Sequence, residues 1–333
     1  MTAAAGGLNL HSHLEGSVRP ATAAELADGL RLPAPAGGWA AALEMRQAGT
    51  LTTFLGHVAH AYPLFATPEA VARIVAEAVE DAARDGTRYL ELRFGPATHT
   101  ASGMTLDDAM GAACEGLRTG SRADGIDAGL VVCALRHHDP ETNVAVARSA
   151  ARFAGRGVVG FDVAGDELLL PALEPMRQPY DIARAAGLGL TAHAAEAGPA
   201  SAVREAVEVL GARRIGHGSR VAEDAELLRW AADEGVCFEV CPTSNVLTGA
   251  AASYASHPVR GFVAAGCEVV VGDDDPITTG SRLASELALL ETEVGLGSAA
   301  VRRLRATSIE RVFCEESVRA AMRAENDGGT PGG

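Results

Sequence analysis

Leu10-His11-Ser12-His13-Leu14-Glu15-Gly16 is the stretch on which the fold of this 333-residue chain turns. Side chains alternate across a strand, so His11 and His13 leave the same face, about 7 Å apart along the chain. Two imidazoles so placed can grip one divalent ion. His-x-His also arises by chance, and the pair gains meaning only from the later strands and their polar ends. After a first β-like run at 8–11, short apolar runs recur at 88–94, 128–135, 158–163, 188–193, 214–217, 237–241 and 268–271. Between them lie Ala/Arg/Glu-rich helical patterns at 68–84, 106–118, 140–153, 201–210, 224–234 and 257–265. Eight such runs alternating with helices predict an α/β chain closed into a (β/α)8 TIM barrel. Thr67 before Pro68, and Thr105 before Leu106-Asp107-Asp108, carry the hydroxyl cap and first-turn proline or carboxylates of helix starts. The segment 21–64, with Pro33, Pro35, Gly37 and Gly38, is longer than one crossover needs. It is expected to be a helical insertion after the first strand, a lid whose Leu51, Phe54 and Leu55 form an apolar wall. The chain is thus expected to be a single barrel domain over 1–333, with flexible ends at 1–7 and 326–333.

Composition narrows the chemistry. A formal charge of −15 repels phosphate backbones and anionic membranes, so neither nucleic acid nor a membrane is expected as a partner. A neutral or cationic small molecule suits it better. The chain contains no lysine, which excludes Schiff-base chemistry, lysine-anchored pyridoxal phosphate and a P-loop. Hydrophobic residues make up 47% but aromatics only 4%, so Ala, Val and Leu must fill the core. The six cysteines have no framework spacing and read as small buried hydrophobes in a reducing, cytoplasmic setting. Residues 1–7 lack the basic region and apolar run of a signal peptide, and no apolar stretch is long enough to span a membrane.

The polar residues are ordered. His11 and His13 end the first strand, Gly165-Asp166-Glu167 follow the fourth, His193 and Glu196 follow the fifth, and His217 ends the sixth. Ser244-Asn245 follow the seventh and Asp273-Asp274-Asp275 the eighth. In a parallel barrel those ends meet on one rim, where such folds place their chemistry. His193 is then the third imidazole for the His11/His13 pair. Asp274 supplies an oxygen, and three adjacent carboxylates repel one another unless something cationic lies beside them. Three nitrogens and one oxygen suit Zn²⁺, with Fe²⁺ or Co²⁺ as alternatives, and leave room for an activated water. Glu196 and His217 stand nearby as proton handlers, which makes a hydrolytic site.

Six motifs carry a resemblance. They are His11-Ser12-His13-Leu14-Glu15-Gly16, Phe161-Asp162-Val163-Ala164-Gly165-Asp166-Glu167, His193-Ala194-Ala195-Glu196, Arg214-Ile215-Gly216-His217-Gly218, Cys241-Pro242-Thr243-Ser244-Asn245 and Asp274-Asp275-Pro276. In this order they resemble the adenosine deaminase family of the amidohydrolase-type barrels. The resemblance implies that His11, His13, His193 and Asp274 bind one zinc ion. It implies that Glu196 protonates N1 of a 6-aminopurine nucleoside, that His217 orients and deprotonates the attacking water, that Asp275 bonds N7, and that the Gly165 N–H reaches N3. Glu15 would face the ribose 5′-hydroxyl. The chain departs from the usual pattern at Glu15, where Asp is common, at Ala195, where Gly is common, and at Asp273, where Thr or Ser is common. The expected activity is hydrolysis of adenosine or a related 6-aminopurine nucleoside to its 6-oxo product and ammonia. Alternatives are a deaminase of adenine or of a 5′-modified, aminodeoxyfutalosine-like adenosine, another mononuclear-metal hydrolase, and a non-catalytic nucleoside binder.

Overall fold

The computed structural model describes residues 7–327. Eight parallel strands pair in sequence order: β1 (Leu8–His13), β2 (Tyr89–Phe94), β3 (Asp127–Leu135), β4 (Val158–Ala164), β5 (Gly189–Ala194), β6 (Arg214–His217), β7 (Cys237–Val240) and β8 (Glu268–Val271). The barrel closes where the chain after β8 returns to β1. Asp274 N–H donates to the His11 carbonyl at 2.9 Å, and His13 N–H donates to the Asp274 carbonyl at 2.5 Å. All eight strands and the barrel are as the sequence predicts, with shifts of a residue or two at the ends. The largest shift is in β1, which runs on through His13.

Four helices separate β1 from β2: α1 (Pro20–Leu30), α2 (Gly38–Leu43), α3 (Leu51–Ala59) and α4 (Pro68–Arg84). Thr67 caps α4 by accepting from Ala70 N–H. Thr105 and Asp108 form a reciprocal capping box on the helix Leu106–Asp124. The helix expected at 201–210 begins as Ala202–Glu205 and widens into a π turn at Ala206–Leu210. Helices at Arg177–Ala185, Leu283–Thr292, Ser298–Arg311 and Glu316–Asp327 were not read from the sequence. Parts of the two ends expected to be flexible are described. The Gly7 carbonyl accepts from Arg88 N–H at 2.8 Å, and Asn326 and Asp327 belong to the last helix. The rest of both ends lies outside the described residues.

One apolar core of mostly Ala, Val and Leu fills the space between barrel and helices. At the end of the barrel away from the rim, the Phe313 ring stacks 4.0 Å from the Arg214 guanidinium. It fits there because Gly160 and Gly189 lack side chains; a Cβ on Gly189 would lie 2.2 Å from the ring. All six cysteines are free, and four are buried. Among the described residues no helix is long and apolar enough to cross a membrane.

Candidate active site

Strand alternation and barrel closure bring four side chains to one point on the rim. The Nε2 atoms of His13 and His11 are 3.3 Å apart, and those of His13 and His193 are 3.2 Å apart. Asp274 Oδ1 lies 3.2 Å from His11 Nε2 and 3.5 Å from His13 Nε2, and it has no hydrogen-bond partner. These spacings match the edges, about 3.3–3.4 Å, of a tetrahedron with metal–nitrogen bonds of about 2.0–2.1 Å.

The outer nitrogens fix the protonation state. His11 Nδ1 sits 2.8 Å from Glu239 Oε2, and His193 Nδ1 sits 2.9 Å from Asp162 Oδ2. His11 Nδ1–H donates to Glu239, so its Nε2 turns a lone pair inward, as a metal-binding histidine requires, and Asp162 places a carboxylate beside His193 Nδ1 on the same pattern. Lone pairs facing one another at this range repel without a cation between them. Burial, ahead of the neighbouring rings, also holds the His13 imidazole well below its usual pKa.

Charge inside the barrel points the same way. Arg93 pairs with Asp162 at 2.7 Å and with Glu239. Arg214 pairs with Glu239 at 2.5 Å and with Glu91 at 2.7 Å. All five of these residues are buried. With Asp274, the barrel holds four carboxylates against two arginines, and a divalent cation matches the difference. The donor set, its lone pairs and its charge therefore fit a metal ion.

Glu196 and His217 stand beside this cluster, with Glu196 Oε2 3.7 Å from His217 Nε2. Both are buried. Burial, together with the Asp274 and Glu167 charges, pushes the Glu196 carboxyl well above its usual range, so it holds a proton. Burial pushes the His217 imidazole well below its own, so the ring is neutral. Asp275 is pushed up by burial and by the adjacent Asp274. The loop carrying Glu196 is shaped by Glu167, whose carboxylate accepts from the N–H groups of Ala195 at 3.0 Å, Ala197 at 2.5 Å and Gly198 at 2.8 Å. Ala195, His217 and Asp274 all adopt left-handed φ, between 55° and 61°, and turn the rim loops sharply inward. The methyl of Ala195 thus occupies a conformation glycine takes without strain.

These groups open into a cavity of about 420 Å³. His13, Glu15, Gly165, His193, Glu196, His217, Asp274 and Asp275 line it, and His11 lies beneath. Leu51, Phe54 and Leu55 of α3 form its apolar wall. Glu15 is already engaged: its Oε1 accepts from Gly95 N–H at 2.9 Å and lies 3.0 Å from His99 Nε2. The His99 ring stacks on Phe65. The lining contains neither arginine nor lysine.

Every residue of the inner ring is marked in the sequence by its place at a strand end, but the supports of that ring are not. Arg93, Asp162, Arg214 and Glu239 received no role, and neither did Asn245 or His257, which back His217. Their signal was there: charged residues inside apolar strands, as in Leu90-Glu91-Leu92-Arg93-Phe94, must be paired when buried.

The model of the family described as adenosine deaminase matches residues 7–327. An adenosine deaminase of Clostridium perfringens (strain SM101 / Type A) is 30% identical over 320 residues, covering 95% of this chain and 96% of its own. An adenine deaminase of Chelativorans sp. (strain BNC1) is 36% identical over 323 residues, covering 95% and 96%. An amidohydrolase from Burkholderia ambifaria, solved with bound zinc, superposes with a TM-score of 0.89 at 27% identity, covering 97% of this chain and 90% of its own.

Proposed function

The chain belongs to the adenosine deaminase family, a family of hydrolases acting on C–N bonds in cyclic amidines, and from that premise we propose that it deaminates an uncharged adenine nucleoside. Water replaces the 6-amino group, leaving a 6-oxopurine and ammonia. Of the water's two hydrogens, one leaves in ammonia and the other replaces the proton that Glu196 gives to N1.

The observation that carries this proposal is the placement of a protonated Glu196, a neutral His217 and a metal-fitting His₃Asp cluster on one wall of one cavity. His11, His13, His193 and Asp274 would hold the ion. The donor set favours zinc, with iron or cobalt as substitutes, and the relative with bound zinc supports that choice. When bound, the ion supplies Lewis acidity and lowers the pKa of a water at the site. Glu196 directs its O–H at ring N1, which draws electrons from C6. His217 stands beside it and orients the attacking water. Asp275, kept protonated, donates to N7, and the Gly165 N–H faces N3. The α3 wall excludes bulk water.

The lining supports an uncharged ligand over a nucleotide. Guanidinium and ammonium groups are the strongest side-chain partners of phosphate, and this cavity offers no arginine beside its five acidic side chains, of which Glu196 and Asp275 are held protonated. One observation favours adenine as a second substrate: Glu15 Oε1 is committed to Gly95 and His99, which leaves the sugar end less well provided with polar partners. The test is ammonia release and ultraviolet change with zinc-loaded protein on adenosine, 2′-deoxyadenosine, 5′-modified adenosines, adenine and AMP. A nucleoside should turn over fastest and AMP not at all. Silence on every member, with metal bound, would sink the proposal. Glu196→Gln should lower turnover by about 10²–10⁴ with metal content unchanged; full activity in that variant would remove Glu196 from the proton path.

A further inference from the structure

Behind His217, on the side away from the cavity, runs a line of hydrogen bonds whose direction is set at its far end. The Val259 backbone N–H donates to His257 Nδ1 at 3.2 Å. A backbone N–H can only donate, so His257 Nδ1 is the acceptor nitrogen, and the proton of the neutral ring is on Nε2. His257 Nε2–H donates to Asn245 Oδ1 at 3.1 Å. That contact turns the amide nitrogen of Asn245 the other way, where Nδ2–H donates to His217 Nδ1 at 2.9 Å. His217 Nδ1 is then occupied as an acceptor. A ring that accepts at Nδ1 carries its proton on Nε2, the atom facing Glu196 at 3.7 Å and Asp274 at 4.0 Å. His257 is 2% exposed, Asn245 0% and His217 1%, so bulk water does not compete for these bonds.

We infer that Asn245 and His257 are positioning residues that lock His217 in its Nε2–H form, so that it meets the oxygen added at C6 as a hydrogen-bond donor and not as the base for the attacking water. Reversing the tautomer would require His217 Nδ1–H to face the amide N–H of Asn245, donor against donor. Flipping Asn245 would set the same conflict against His257, whose orientation the backbone fixes. The water's proton goes instead to the carboxylate side, where Asp274 Oδ2 lies 4.0 Å from His217 Nε2, and it leaves with the amine as ammonia. This revises the base role that the family resemblance implies for His217. The identity of the oxygen rests on the proposed deaminase activity; the tautomer does not.

The test reads the tautomer directly. Zinc-loaded enzyme with ¹⁵N-labelled imidazoles gives long-range ¹H–¹⁵N correlations, and the His217 signals are those lost in His217→Gln. The expected spectrum shows a protonated Nε2 and a bare Nδ1. Asn245→Asp places an acceptor against both rings, so it should move the proton to Nδ1. It should also cut kcat by about 10²–10³, with KM changed by less than about threefold. His257→Gln keeps an N–H where Nε2 stood and should retain the wild-type spectrum and rate; His257→Leu should lose both. A wild-type spectrum with the proton on Nδ1 overturns the inference, whatever the variants do. So does an Asn245→Asp enzyme with unchanged spectrum and rate. The spectrum needs no turnover, so a protein inactive on every nucleoside would refute the proposed activity and still report the tautomer.

Discussion

At the residue scale, buried groups one bond removed from the chemistry have the most to lose. Glu239 holds His11 Nδ1 while answering to Arg93, Arg214 and Thr191 Oγ1. Glu239→Gln should weaken metal binding by about 10–100-fold, as removal of such supporting carboxylates does elsewhere. Competition with a chromophoric chelator would measure this, and an unchanged affinity would mean His11 is oriented by packing alone. His257 offers a cleaner titration because it touches no metal ligand. Burial depresses its pKa to about 4. Between pH 6.5 and 4 the unfolded chain takes up a proton that the native ring refuses, so stability falls as pH falls. The loss across that window is about 3 kcal/mol, from about 1.4 kcal/mol per pKa unit. Urea midpoints should therefore drop more steeply on acidification in the wild type than in His257→Gln. Parallel pH profiles would show that His257 does not carry the effect.

At the element scale, the strand ends place the reacting groups and the strand beginnings hold the barrel shut around Phe313. Gly160 and Gly189 face that ring from neighbouring strands. Gly189→Ala forces a methyl into space the ring occupies and should cost about 1–3 kcal/mol. Because the ring lies at the opposite end of the barrel from the site, kcat at low temperature should stay near wild type. A variant with normal stability would show that Phe313 moves aside freely. These helix and strand starts were legible where local chemistry is explicit. Thr67-Pro68 and Thr105-Leu106-Asp107-Asp108 mark their helices unaided, because cap and first turn are adjacent in sequence. The helix at Arg177–Ala185 starts without a side-chain cap, and its signal was correspondingly weak.

At the scale of the whole molecule, the barrel interior carries more negative than positive charge without a bound cation, so metal and fold are linked. A ligand that binds only the native state at 100 times its Kd adds about 2.7 kcal/mol. Chelation should therefore lower Tm by about 4 °C, and readdition of zinc should restore it. A Tm indifferent to chelator would argue that the cluster holds no metal in solution. The net charge of −15 acts at the same scale. It repels anions at long range, which supports the proposed preference for an uncharged ligand.

The eight strands, the closed barrel and the membership of the inner ring can be read along the chain. Each of those depends on local periodicity, or on a polar residue's position at a strand end, and a barrel sends every strand end to one rim. What stands behind that ring emerges only when the chain folds. Arg93 meets Asp162 and Glu239 across 69 and 146 residues of chain, and His257 reaches His217 only through Asn245. Spacing along a chain says nothing about such contacts. It is burial that compels them: a charge or ring nitrogen removed from water must find its partner wherever the folded backbone has placed one.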